Sequence, residues 1–507
     1  MINILNKKIS NRTLLIAISF IAVFQLSVIW LRTGYYPLPA GDDVMFADSA
    51  YNLITEGKLR KTVFGDDHIR AYKDFWPPVI MLVQALSFFM FGLSQFSMGF
   101  PSSLLATILF FIFFLLAKSV SGSTFWSLVG VTVILSSEIA TNVLFTVRPE
   151  IAFNTLFILY ILLSYDSTKE RKFYNAPIIK GIIIGLCVLS YYPLAPFVIF
   201  AMIIFHFLIS DKSEGLTKIV YDIIFQVLGL IIPLALYTIY FVYPDFNLFY
   251  KSVISVGENS YGPSKGNTLF TALKSLVLAN DKKRFVLIVL EYVYIIVVSL
   301  YALTFKNKMY KALSTVSLIM ISSTFFYGRY EFASTAIIIT FLILVSIMSE
   351  LTNPKKLMFL RLLLICFTTL AFTRLILVFL TVILQHEGRN YSFVEKRIMA
   401  TVNSPCVVVA SPVAWLALKE KLNSSQLYII SPNHEMAKVF YNPINIDKFD
   451  YAVIDTKEIK TVSANLPIIS YGFAKDKLQK VDCFNPINRL PWANPTSYDI
   501  TIYRVQH

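Results

Sequence analysis

From Leu14 to Leu31 the chain is almost unbroken in its apolar character, and ten further runs of this kind follow. They lie near 98–117, 124–145, 150–165, 177–191, 194–210, 218–243, 285–304, 312–327, 332–349 and 358–384. A helix needs about 20 apolar residues to cross the hydrocarbon core, with some tolerance. A chain with so many such runs folds as helices in a bilayer, because lipid leaves no other way to satisfy the backbone. Composition agrees: mean hydropathy is +0.64, 56% of residues are hydrophobic and 15% charged. Soluble globular chains carry more charge, and disorder or a disulfide scaffold would need a different balance. The expected class is mainly α, a polytopic membrane helical bundle. The net charge of +14 is read as an orientation signal, and no nucleic-acid partner is expected.

Lys7, Lys8 and Arg12 precede the first run, and Arg32-Thr33-Gly34-Tyr35-Tyr36-Pro37 follows it. No small-residue cleavage site appears, so the run reads as an uncleaved signal anchor with a cytoplasmic N-terminus. One more run, Val79 to Phe91, is short for a crossing and suits an interfacial or re-entrant helix. If it does not cross, the loops 118–123, 166–176, 211–218, 305–311 and 350–357 face the cytoplasm, and each is short and basic, as the positive-inside rule requires. If it crosses, all five face the wrong side. About 11 spans follow, N-terminus in and C-terminus out, as in a multi-pass protein of a bacterial-type inner (plasma) membrane. Residues 1–385 form the membrane unit, with external loops at 33–97 and 244–284. Residues 386–507 form an extracytoplasmic unit.

That tail reads as a small α/β domain. Pro405–Ala410, Gln426–Ile430, Tyr451–Asp455 and Thr501–Val505 have strand character. Ser411-Pro412 supplies an N-cap and a first-turn proline for a helix through Leu422. Cys187 and Cys366 fall in spans, whereas Cys406 and Cys483 lie in the tail and could pair there.

The first external loop concentrates ionisable groups. Gly41-Asp42-Asp43 opens a segment to Ile54 with Phe46, Ala50, Leu53 and Ile54 at helical spacing, an amphipathic helix expected to lie on the membrane surface. The two acids could do no more than cap that helix and favour its dipole. Asp74-Phe75-Trp76-Pro77-Pro78 opens the short helix; prolines suit a first turn and Trp76 suits an interface belt. Thr146-Val147-Arg148-Pro149-Glu150 falls at the outer junction of the third and fourth spans. Ionisable residues at that depth are costly and tend to be functional, although an Arg–Glu pair can simply mark a span end.

In order, spacing and common side, these features resemble the GT-C superfamily of polyprenyl-phosphate-sugar glycosyltransferases. The branch with protein O-mannosyltransferases and lipid A aminoarabinose transferases is the nearest likeness, over roughly residues 10–210. The resemblance implies a membrane glycosyltransferase that moves a sugar from a polyprenyl-phosphate donor to a glycan, lipid or protein acceptor, with inversion. It makes Asp42 the catalytic acid of the pair, with Asp43 its neighbour and Glu150 in the outer-junction motif. The aminoarabinose branch has a lysine where Trp76 stands, and that lysine helps hold the lipid phosphate. Another cation must serve here: Arg148 first, then Lys58, Arg70 and Lys73.

The chemistry is coherent without the likeness. A departing phosphate leaves negative charge that a guanidinium fork can stabilise, and an acceptor hydroxyl needs a carboxylate to take its proton. No cofactor is required. A divalent cation could be held by Asp42, Asp43, Asp48 and Glu150, which are hard oxygen ligands. The competing readings are a lipid or saccharide transporter or flippase, and an O-antigen-type polymerase or ligase. The first needs repeats and charged residues along a path; no repeat is seen, and Glu138, His206, Asp222, Arg361 and Arg374 form no obvious relay. The second would use a basic late loop, which 244–284 partly supplies.

Overall fold

The computed structural model describes residues 11–35, 41–59, 62, 78–166, 176–210, 216–247, 249–250, 282–327, 330–350, 354–403, 405–422, 426–429, 449–455, 478–484 and 498–506. The apolar runs become helices: α1 (Asn11–Leu31), α2 (Gly41–Glu56), α3 (Pro78–Phe91), α4 (Gln95–Ser121), α5 (Thr124–Val133), α6 (Glu138–Leu144) and α7 (Pro149–Asp166). After these come α8 (Pro177–Ser190), α9 (Ala195–Ile209), α10 (Leu216–Tyr237), α11 (Lys282–Leu303), α12 (Lys308–Tyr327), α13 (Ser334–Glu350) and α14 (Pro354–Leu384). Eight helical stretches are long and apolar enough to cross a bilayer, or nine if a bent pair is one span. The expected eleven therefore require α7 and α8, shorter apolar helices, to cross as well. The protein is an integral multi-pass membrane protein. Its α13 stretch is 94% buried, whereas α10 shows Ile224, Leu228, Ile231 and Leu236 outward, as a lipid-facing helix should.

The run 124–145 is not one straight rod. A helix through Ser136 turns by 86° into α6. Ser137 causes the break, because its extended backbone lets its Oγ accept the Ala140 amide and start a new helix.

Where α1 ends, α4 begins. A Cβ on Gly99 would fall 2.3 Å from the Thr33 carbonyl oxygen, so only glycine permits this approach. Thr33 Oγ1 and Ser103 Oγ, 2.7 Å apart, close the same contact. The short helix α3 stays at this end of the bundle. Gln84 and Ser87 in its middle both donate to the Ser97 carbonyl at the start of α4 (2.8 and 2.7 Å). Its first turn, at Val79, packs against the cluster of Leu189, Tyr237 and Val242, from α8, the end of α10 and the turn just beyond it.

After α14 come α15 (His386–Arg389) and α16 (Tyr391–Thr401), then β1 (Val408–Ala410), α17 (Trp415–Lys419), β2 (Leu427–Ile429), β3 (Tyr451–Asp455), β4 (Leu478–Phe484) and β5 (Ile500–Val505). The sheet order is β2-β1-β3-β5-β4. β1 is parallel to β2 and β3, and β5 is antiparallel to β3 and β4. Ser411 precedes the helical turn as expected, but its Oγ accepts the Asp455 amide across the sheet rather than capping. Cys406 and Cys483 are both free thiols.

Helix α2 departs from the surface-lying expectation. Phe46 joins the bundle core, while Val44, Ala47 and Ala50 join a second core with Trp415, Val408 and Ile500 of the tail. The polar side meant for solvent, Asp48, Ser49 and Asn52, is buried as well. The helix is sandwiched between the bundle and the tail.

Candidate active site

The site is built on α6, a helix too short to hold its place alone. Its N-terminal amides need acceptors, and Glu291 of α11 supplies them: it accepts the amides of Glu138 and Ile139 and the Ser137 hydroxyl (2.9 Å). Arg374 of α14 pairs with Glu138 at 2.9 Å and reaches Thr141 Oγ1 at 3.2 Å. The C-terminal carbonyls need donors. Arg32, just past α1, donates to the carbonyls of Leu144 (2.9 Å) and Phe145 (3.1 Å), and its guanidinium lies 4.2 Å from the Phe145 ring centre. Three separate helices thus fix both ends of α6, and with them the residues that follow.

Those residues are Val147 to Glu150. Pro149 opens α7, where its missing amide costs nothing, and Glu150 sits in the first turn, favoured by the helix dipole. Asp43, 5% exposed, accepts the Val147 amide at 3.1 Å. This single bond joins two stretches 104 residues apart. Arg148 Nε lies 3.5 Å from Glu150 Oε2, and its Nη1 lies 3.6 Å from Glu331 Oε1. The side chains of Arg148, Glu150 and Glu331 are 17%, 1% and 12% exposed. Arg148 thus lies between two carboxylates.

Of the residues singled out from sequence, Asp43, Arg148 and Glu150 therefore share one neighbourhood. Asp42 stands beside Asp43 in the first turn of α2; its side chain lies outside the described residues. So do Arg70, Lys73 and Trp76. Lys58 is exposed and lies past the far end of α2, a helix about 24 Å long by its rise, so it is not brought to Arg148. Asp48 also leaves the proposed ligand group. It accepts from Thr62 N and Oγ1, Asn52 Nδ2 and Trp415 Nε1 (3.1 Å), and pairs with Lys419 at 2.7 Å. Among the described residues no group of three or more His, Cys, Asp or Glu could hold a metal ion. Beside this hub, burial and then the Glu420 charge push the Tyr51 phenol above its ordinary pKa.

Glu331 and Arg32 escaped the sequence reading. Glu331 lies in a 3-10 turn, Tyr330–Ala333, between α12 and α13. The orientation argument already placed that junction on the outer side with Arg148, and an acid between two apolar runs there was the available signal. Arg32 looked like an ordinary flanking charge.

The intramembrane charges also gain partners that spacing did not reveal. Besides Glu138–Arg374, His206 lies 3.8 Å from Asp222 and its Nδ1 is 3.4 Å from Gln226, which also accepts from Tyr160.

Comparison with known proteins bears on this arrangement. The profile of the dolichyl-phosphate-mannose-protein mannosyltransferase family matches residues 76–239. An uncharacterised protein of Aquifex aeolicus is 27% identical over 199 residues, 39% of this chain; the match spans 38% of that relative's length. Among solved structures, ArnT from Cupriavidus metallidurans bound to undecaprenyl phosphate is similar with a TM-score of 0.59 at 11% identity, covering 97% of this chain and 98% of that one. Arabinofuranosyltransferase AftD from Mycobacteria gives 0.52 at 11% identity, covering 98% of this chain and 40% of that one. The chain has the GT-C fold that these glycosyltransferases share.

Proposed function

We propose that this GT-C-fold membrane protein is a glycosyltransferase that moves a sugar from a polyprenyl-phosphate donor to an acceptor on the extracytoplasmic face. The observation that carries the reading is the Asp43–Val147 bond, which sets the acidic head of α2 against the Arg148–Glu150 junction. Two further facts support it. The family profile spans α3 to α10, and a similarly folded protein, ArnT, has been crystallised with undecaprenyl phosphate.

In this reading an acceptor hydroxyl attacks the anomeric carbon as the bond to the phosphate oxygen breaks. The proton goes to Asp42, and the electron pair leaves with the polyprenyl phosphate. In-line attack inverts the anomeric centre. Arg148 supplies positive charge for the leaving phosphate, and Asp43 positions the pair by gripping the Val147 amide. No metal is needed for these steps. The N-terminus is cytoplasmic and the tail extracytoplasmic, so the site faces the outer headgroups. A transporter reading gains nothing from the spans: the described charges Glu138, His206, Asp222 and Arg374 pair with neighbouring helices rather than line a path.

The test is incubation of the purified protein with a panel of polyprenyl-phosphate sugars and glycan, lipid and peptide acceptors, scoring free polyprenyl phosphate. Release by the native protein, lost in a folded Asp42→Asn variant, is the expected result. Unchanged release by that variant would defeat the assignment of the base.

A further inference from the structure

Glu331 has no part in the reaction as just described, yet it sits 3.6 Å from the cation that would meet the phosphate. A single counter-ion would hold a guanidinium well enough, and Glu150, buried beside Arg148, already is one. A second carboxylate adds negative charge beside that cation and so opposes anion binding. That opposition is not equal for the two anions the reaction handles. The donor is a phosphodiester with one negative charge; the released polyprenyl phosphate is a monoester carrying about −1.5 to −2 near neutral pH. Repulsion scales with the charge of the ligand, so Glu331 disfavours product more than donor.

Resting on the reading above, we propose that Glu331 is a specificity-determining residue that discriminates monoester product from diester donor and so promotes release of polyprenyl phosphate. It comes from the α12–α13 junction, a part of the chain beyond the stretch that the family profile matches. Placement suits the role: at 12% side-chain exposure, its charge is not fully screened by water.

The experiment measures KM for a donor and the inhibition constant for free polyprenyl phosphate, using the full chain. For Glu331→Gln the ratio of inhibition constant to KM is expected to fall about fivefold. Glu331→Asp, which keeps the charge, should retain the native ratio. Glu331→Met, similar in length and uncharged, should behave as the glutamine variant does, and serves if the glutamine variant does not fold. A ratio that stays native in both uncharged variants, or that shifts as much in the aspartate variant, overturns the proposal while leaving the transferase reading intact. Absence of turnover by the native protein with every donor overturns the transferase reading itself, and this inference with it.

Discussion

Two adjacent aspartates at one helix start have different work in the proposed reaction. Asp43 accepts the Val147 amide, a contact that asks only for an acceptor oxygen. An asparagine offers one, whereas a base must take a proton and an asparagine cannot. Turnover should therefore fall by a factor of about 100 or more in Asp42→Asn and by about tenfold or less in Asp43→Asn, with Asp43→Ala closer to the former because a buried amide loses its partner. Steady-state rates of the three variants decide this; equal loss in both asparagine variants would reject the division of roles. The pair itself was legible in the sequence, since Gly41-Asp42-Asp43 ahead of a helical pattern is a local signal. What it touches was not. Val147 is 104 residues away, and an amide acceptor leaves no trace in composition.

At the scale of elements, α6 is the decisive piece, and it was hidden inside a run read as one span. The signal was present: Ser136-Ser137-Glu138 is a helix start placed within apolar sequence. Hydrophobicity outweighed it. The strand β4 was also missed: its residues are exposed or half-buried at the sheet edge, where a strand needs no apolar alternation. Fixing α6 depends on charge balance. Removing Arg374 leaves the carboxylates of Glu138 and Glu291 together at one helix end. Arg374→Met should lower the melting temperature in detergent and reduce turnover by displacing Arg148. Adding Glu138→Gln should recover part of that loss, a coupling of about 2 kcal/mol. Strictly additive effects of the two substitutions would show that Arg374 does not hold α6 through Glu138.

For the whole molecule, the membrane bundle could be read from sequence because lipid imposes a length rule on each span separately. How the tail meets the bundle could not, because that depends on residues with no shared local pattern. The joint is Asp48, fully buried and shared by Thr62, Asn52, Trp415 and Lys419. In sequence it looked like a third acid for a cation; in the fold, Lys419 and the indole of Trp415 from α17 take that charge. Tyr51 adds ring contacts, 6.3 Å from Trp415 and 5.6 Å from the Lys419 ammonium. Since α2 also carries Asp42 and Asp43, a loosened tail frees the helix that bears the proposed base and its neighbour. Asp48→Ala leaves the partly buried Lys419 without its counter-charge and should cost about 3 kcal/mol. Its turnover should fall through lost protein order, visible as faster proteolysis of the tail. Asp48→Asn keeps acceptors for Thr62 and Trp415 and should be milder. A tail as protease-resistant in Asp48→Ala as in the native protein would mean that the apolar contacts of Val44, Ala47 and Ala50 suffice to hold α2, and that the ion pair is dispensable.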